Sequence, residues 1–299
     1  MTDQITTPGE IGPGNGPLPL LKARSPEIGE RGVELYERAA RKVGAAFGQI
    51  GDVAAMVLDA TYATGEALVR RRFPWPEFFV QTWFLISVTF LPTLLISIPF
   101  GLVIVLEVGG LAQQIGATSI VGAVDSLGIV AQAAPVITAI LLSGAGGSAI
   151  CADLGARTMR DEIDAMWVMA VDPIERLVAP RVLATIIVAI LLNGIVAFAG
   201  IMAGYFCAVY ILHTSAGGFL GSFSVFAQPS DFFQSELKAA IFGLLAAAVA
   251  SHQGLRAKRG PAGIGEAVNR SVVITGISLF VLNVLITQIF YVITPPKVL

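Results

Sequence analysis

Charge is scarce in this chain. Only 13% of its 299 residues are Asp, Glu, Lys or Arg, against about a quarter in ordinary soluble domains. With 55% hydrophobic residues, that scarcity excludes an ordinary soluble globular domain. A net charge of −2 gives no basic footprint, so no nucleic-acid partner is expected. Cysteine is scarcer still: Cys151 and Cys207 sit in separate apolar runs with no second thiol nearby. They read as small core residues, not a disulfide. The two histidines, His213 and His252, lack ligand-like neighbours, so no metal site is expected. The opening "MTDQITTPGE" has no basic stretch leading into an apolar one, so no cleavable signal peptide is expected.

What is abundant is uninterrupted apolar sequence. Five runs, at roughly 79–111, 127–152, 182–212, 236–255 and 271–293, reach the ~20 residues that cross a bilayer as a helix. No Lys or Arg occurs between Arg72 and Arg157, whereas Arg157, Arg160, Arg176 and Arg181 fill the second connection. Arg256, Lys258, Arg259 and Arg270 surround the fourth, and the third connection and the tail offer only Lys238 and Lys297. The positive-inside rule then puts the N-terminus in the cytoplasm and the C-terminus outside. Pro92 and Pro99 predict a kink or break in the first span. "SGAGGSAICA" (143–152) sets Gly144, Ser148 and Ala152 four apart, a spacing that allows close helix approach in lipid. It has no Gly-Lys-Ser/Thr, so it is not a phosphate loop.

Ahead of the spans, residues 1–27 are rich in Pro and Gly and predict a disordered tail. Residues 28–72 form a second segment. Between 33 and 69, Val43, Phe47, Ile50, Ala54, Val57, Thr61 and Leu68 fall on one stripe, with Asp52, Asp59 and Glu66 on another. That pattern fits a helix lying in the membrane interface, or an amphipathic helix packed on a partner. "RRRFPWP" (70–76) reads as a cytoplasmic anchor leading into the membrane region from 73 to 299.

One charged island interrupts the apolar sequence: "LGARTMRDEIDAMWVMAVDP", residues 154–173. A helix over 157–170 would line up Met159, Ile163 and Met166 on one face and Arg157, Asp161 and Asp164 on another, with Arg160 and Asp164 paired at i, i+4. Asp172-Pro173 would end it. Such a helix either caps the membrane surface or takes a push from a soluble partner. Elsewhere, Glu107 is the one acid inside the apolar core of a span by these boundaries, a functional candidate. Asn283, Thr287 and Gln288 make a polar stripe on the last span. Phe219, Phe223 and Phe226 in the outer loop 213–233 suggest a helix packed on the spans or a dock for an outer partner.

The stretch "GSAICADLGARTMRDEIDAMWVMAVDPIERLVAPRVLA" (147–184) resembles the signature of the MlaE/YrbE permeases, which are lipid-transporting ABC subunits. "PFGLVIVLEVGGL" (99–111), "APVITAILLSG" (134–144) and "GIGEAVNRSVV" (263–273) carry the likeness over most of the chain from Phe78. "GARTMRDEIDAM" is especially similar to actinobacterial members serving mammalian-cell-entry (Mce) lipid importers. The resemblance implies an all-α polytopic fold: an interfacial elbow helix, five spans and a coupling helix at about 156–172. It implies that Arg160, Asp161, Glu162 and Asp164 contact an ABC ATPase dimer, which hydrolyses ATP with Mg. Met159, Ile163 and Met166 would hold the helix to the membrane domain. The chain itself would be no enzyme and bind no cofactor or metal. Lipid of fatty-acid or sterol type would enter a cavity between two permeases, with Glu107, Asn283, Thr287 and Gln288 as candidates, below a ring of MCE subunits outside the inner membrane. Many members read Arg-Glu-Leu-Gly-Pro where this chain has Ala131 to Pro135, and Gly-Arg where it has Gly144-Ala145. Those neutral positions suggest a heterodimer with a related, non-identical permease. Two other classes remain to be weighed. An ion-coupled secondary transporter would want more ionisable groups near the midplane. An intramembrane lipid enzyme would want clustered acids and bases, and only 161–164 offers any.

Overall fold

The computed structural model describes residues 53–66, 73–117 and 120–293, together with Gly51 and Val69. Their regular structure is helical, with no strand among the described residues. A short helix α1 (53–66) comes first. Then follow α2 (Trp75–Gln114), α3 (Val121–Met159), α4 (Glu162–Val168), α5 (Ile174–Ile211), α6 (Ala216–Phe226), α7 (Pro229–Leu255) and α8 (Pro261–Ile293). Helices α2, α3, α5, α7 and α8 are each long and apolar enough to cross a membrane. Each begins before its expected span, and α2 and α3 also end later, because apolarity marks where lipid would be while the backbone ladder continues into polar residues. Most of the 33–69 segment and the arginines at 70–72 lie outside the described residues. Within α1 the inward stripe is Val53, Met56 and Ala60, whereas Ala54 and Thr61 are exposed. The predicted stripe is therefore off by one position.

Pro92 and Pro99 do not break α2, which runs unbroken through both. The helix instead meets α5 along a seam of small residues. Leu85, Thr89, Thr93, Ser97, Gly101, Val105 and Gly109 recur every fourth position and are buried. The Thr89 and Thr93 hydroxyls donate to the carbonyls of Leu85 and Thr89, at 2.7 and 2.6 Å, so neither hydroxyl is stranded in lipid. Gly101 lies directly on the backbone of Gly200, where a Cβ would overlap the Gly200 carbonyl. Close approach at small residues is the main source of packing when the surroundings are as apolar as the core.

Helix α7 packs against α5, α3 and α8. A Cβ on Gly243 would stand 2.8 Å from Ala189 Cβ, and one on Gly254 2.8 Å from the Cys151 carbonyl. The predicted stripe at Gly144, Ser148 and Ala152 does not make such a contact: nothing lies within 4 Å of a Cβ at Gly144. Helix α8 lies on α3 and α7 through Ala267, Ser271, Thr275, Leu279 and Thr287. Its other faces expose Val273, Ile277, Phe280 and Val284. The segment 213–233 does hold a helix. In α6 the Ser215 hydroxyl accepts from the Gly218 amide at 3.1 Å, and Phe219 is buried against Gly122 at the start of α3. Cys151 and Cys207 are both buried free thiols.

Candidate functional site

The charged island folds as two helices, not one. Arg160 closes α3, Asp161 turns left-handed at φ 58°, and α4 restarts at Glu162. The predicted continuous helix over 157–170 fails there, because a left-handed residue ends the ladder. Aspartate tolerates that conformation better than most residues. At the other end Ala170 is left-handed too, at φ 57°. Its amide donates to the Trp167 carbonyl and that of Val171 to Met166, at 3.1 and 3.0 Å, the Schellman pattern that seals a helix C-terminus. The helix therefore stops before Asp172-Pro173. The Asp172 carboxylate accepts from the Ile174 amide at 2.8 Å and starts α5 instead.

The break re-sorts the expected faces. Ile163 is buried and Met166 packs beside it on the main core, as the sequence pattern required. Met159, placed on the same face by an unbroken helix, is instead exposed. Arg160 does not reach Asp164. It donates to Glu162 at 2.7 Å, and that hydrogen bond pushes its guanidinium up from the ordinary arginine value. Asp161 pairs with Arg259 of the α7–α8 connection at 2.7 Å. Asp164 points outward, and beside it the sequence pattern missed an apolar tip: Trp167, Val168 and Met169, with Val168 88% exposed. Exposed large apolar groups rimmed by charge mark a protein or membrane interaction site.

Behind α4 lies a set of ion pairs that residue spacing could not announce. Arg181, fully buried, reaches Asp153 at 2.5 Å and Glu77 at 3.5 Å, and donates to the Leu177 carbonyl at 2.7 Å. One guanidinium thus ties α5 to α3 and α2. Arg157 joins Asp153 at 3.4 Å and Glu162 at 3.8 Å.

The candidate lipid-cavity residues do not converge. Glu107 is exposed on α2, which packs on α5 and the start of α3. Asn283, Thr287 and Gln288 ride on α8, which packs on α3 and α7. Thr287 is buried and donates to the Asn283 carbonyl at 2.6 Å, and Gln288 is exposed. Asn283 lines a cleft with Val136, Ser143, Phe242 and Leu279, and its Oδ1 has no hydrogen-bond partner among the described residues. Nor is Glu107 the one acid within a span. Asp125 is wholly buried near the start of α3 beside Gly204, both carboxyl oxygens without a hydrogen-bond partner among the described residues. It lies two residues before the predicted span, where a search confined to the apolar runs misses it. Lys238 is another correction. It is no loop charge but a buried residue of α7, donating at 3.2 Å to the Ala131 carbonyl. The 131–135 segment is therefore not without a cation.

With this arrangement in view, comparison with known proteins gives one answer. Residues 78–289 match the model of the family described as Permease MlaE. The chain belongs to the MlaE permease family. A probable ABC transporter permease protein of Synechocystis sp. is 30% identical over 191 residues, covering 64% of this chain and 73% of its own. A probable ABC transporter permease protein of Rickettsia felis is 30% identical over 179 residues, 60% and 69% of the two chains. The chloroplast protein TRIGALACTOSYLDIACYLGLYCEROL 1 of Arabidopsis thaliana is 25% identical over 178 residues, 60% and 51%. This MlaE-family chain is thus a multi-pass ABC transporter permease subunit, and ATP hydrolysis is the work of a separate subunit.

Proposed function

We propose that this permease moves lipid inward across the plasma membrane, driven by an ATPase dimer that docks on α4. The single observation carrying the reading is the short helix Glu162–Val168. It is pinned to the core by Ile163 and offers Asp164, Trp167 and Val168 outward between two spans. That is how a mechanical input is built: an anchored element with an exposed charged and apolar face. Asp161, Glu162 and Arg160 fix its start, and Met166 holds its inner side. In this reading ATP and Mg belong to the partner, and this chain binds neither.

A lipid cargo is supported by one relative's name, which carries a glycerolipid, trigalactosyldiacylglycerol. The actinobacterial likeness favours import with MCE subunits outside, fatty-acid or sterol cargo, and a cytoplasmic N-terminus with 28–72 as an elbow helix. Ala131, Gln132, Ala133 and Ala134 carry no side-chain charge of their own. These neutral positions favour pairing with a related, non-identical permease, the Gly144 face of α3 being open to a neighbour.

The docking test is charge reversal. Glu162→Lys with Asp164→Lys should abolish co-purification of the ATPase while the permease still inserts. Breaking a desolvated charged contact costs on the order of 2–5 kcal/mol. Unchanged co-purification and transport would leave only a membrane cap. Mass spectrometry of lipid carried by the complex tests the cargo. Expressing this chain with the ATPase and no second permease tests the pairing: an active complex with two copies would overturn the heterodimer.

A further inference from the structure

We infer that Arg181 carries movement of α4 into the spans, as the centre of an ion-pair relay joining α4 to α3, α5 and α2. The inference rests on the proposal that α4 is the seat of the ATPase. The relay can be followed atom by atom. Glu162 Oε2 on α4 lies 3.8 Å from Arg157 Nη1, and Arg157 Nε lies 3.4 Å from Asp153 Oδ2. Asp153 Oδ2 lies 2.5 Å from Arg181 Nη2, which lies 3.5 Å from Glu77 Oε1 near the start of α2. Glu77 in turn accepts from Gln81 one turn further along α2, at 2.8 Å. Charge alternates at every ion-pair step.

Two features argue for transmission beyond packing. A buried ion pair is a poor way to stabilise a junction, since apolar side chains of similar volume serve as well or better. Yet Arg181 is fully buried, while Asp153 and Glu77 stay partly open to solvent. The links also differ in length. The pair that fixes α3 to α5 is short, at 2.5 Å, while those that reach Glu162 and Glu77 are 3.8 and 3.5 Å. A displacement of α4 therefore acts first on the long Glu162–Arg157 link, while the short Asp153–Arg181 pair holds α3 and α5 together and Arg181 passes the movement to Glu77. A chain of ion pairs joining packed helices is the kind of contiguous network that carries coupling between distant sites. Arg181 is a positioning residue here and touches no cargo.

The experiment uses the full transporter complex in lipid, with an environment-sensitive fluorophore on Leu111→Cys at the far end of α2. Leu111 is exposed, and the native thiols are buried. The signal read is the ATP-driven fluorescence change per ATP hydrolysed. Arg181→Gln and Glu77→Gln should still co-purify with the ATPase and hydrolyse ATP, while the change per turnover falls about tenfold. A merely structural role would lower yield or thermal stability but leave the change per turnover intact, and that result overturns the relay. Loss of ATPase co-purification in either variant would overturn it too, since neither side chain lies on the outward face of α4. Should Arg181→Gln fail to fold, Glu77→Gln decides, its carboxylate being partly exposed at the rim. Failure of the docking proposal looks different: Glu162→Lys with Asp164→Lys would then keep the ATPase bound, whatever the Arg181 variants do.

Discussion

Two glycines, Gly243 and Gly144, make opposite predictions for the same substitution. Gly243 on α7 faces Ala189 Cβ at 2.8 Å, the Thr185 carbonyl at 2.9 Å and Ile186 Cα at 3.2 Å, measured from a Cβ built on it. None of these is the end of a flexible side chain, so the helices themselves must separate. Overpacking of that kind costs about 1–3 kcal/mol. Alanine returns about 0.5–1 kcal/mol of helix preference over glycine. The net for Gly243→Ala is a loss of about 0–2.5 kcal/mol. At Gly144 nothing stands within 4 Å, so only helix preference operates and Gly144→Ala gains about 0.5–1 kcal/mol. The two variants should bracket the parent in a denaturant titration of the isolated chain in detergent, followed by circular dichroism. Equal stabilities, or a larger loss at Gly144, would refute the packing argument. The same Gly144→Ala chain should pair less well with a second permease if that open face is a seam, and pull-down from the assembled complex reads this separately.

Three further outcomes follow from the same geometry. Asn193, fully buried, donates to Ser235 at 2.9 Å and to Glu236 at 3.1 Å. Asn193→Leu should therefore cost about 1–3 kcal/mol by stranding both, and a loss below half of that in the same titration would count against the network. Arg259→Gln removes a pair whose side chains are 75% and 57% exposed. It should change stability by less than about 1 kcal/mol at any salt concentration, and a larger, salt-dependent change would show that Asp161 relies on it. A cysteine at Arg160 should label only from the cytoplasm and one at Gly217 only from outside; labelling of both from one side would overturn the five-span orientation.

How far the sequence can be read depends on the range of the interaction. Five spans are legible because each is a local run of apolar residues, and the charged island because it breaks that run. The helix reversal at Asp161 is not, since the spacing of Met159, Ile163 and Met166 looks continuous through it. Proline at 92 and 99 does not mark a helix end, since α2 continues through both. The ion pairs are hidden for a plainer reason. Glu77, Asp153 and Arg181 come from three helices, and no local period relates them. Lys238 is legible as a cation but not as a buried one, because only the fold brings it to the Ala131 carbonyl. The polar candidates Glu107, Asn283, Thr287 and Gln288 rest on residue type alone, and the helices that carry them do not bring them together.

The two left-handed residues that bracket α4 bear on its stiffness. Asp161 and Ala170 adopt positive φ without being glycine, at a cost of roughly 1–2 kcal/mol for an ordinary side chain. A glycine at either place would be less strained but would swing through a wider arc, and a compliant joint absorbs displacement. In the proposed docking of an ATPase on α4, Cβ atoms at both joints would make it a short stiff lever that loses little of its stroke in bending. Ala170→Gly would make the protein more stable and the lever softer.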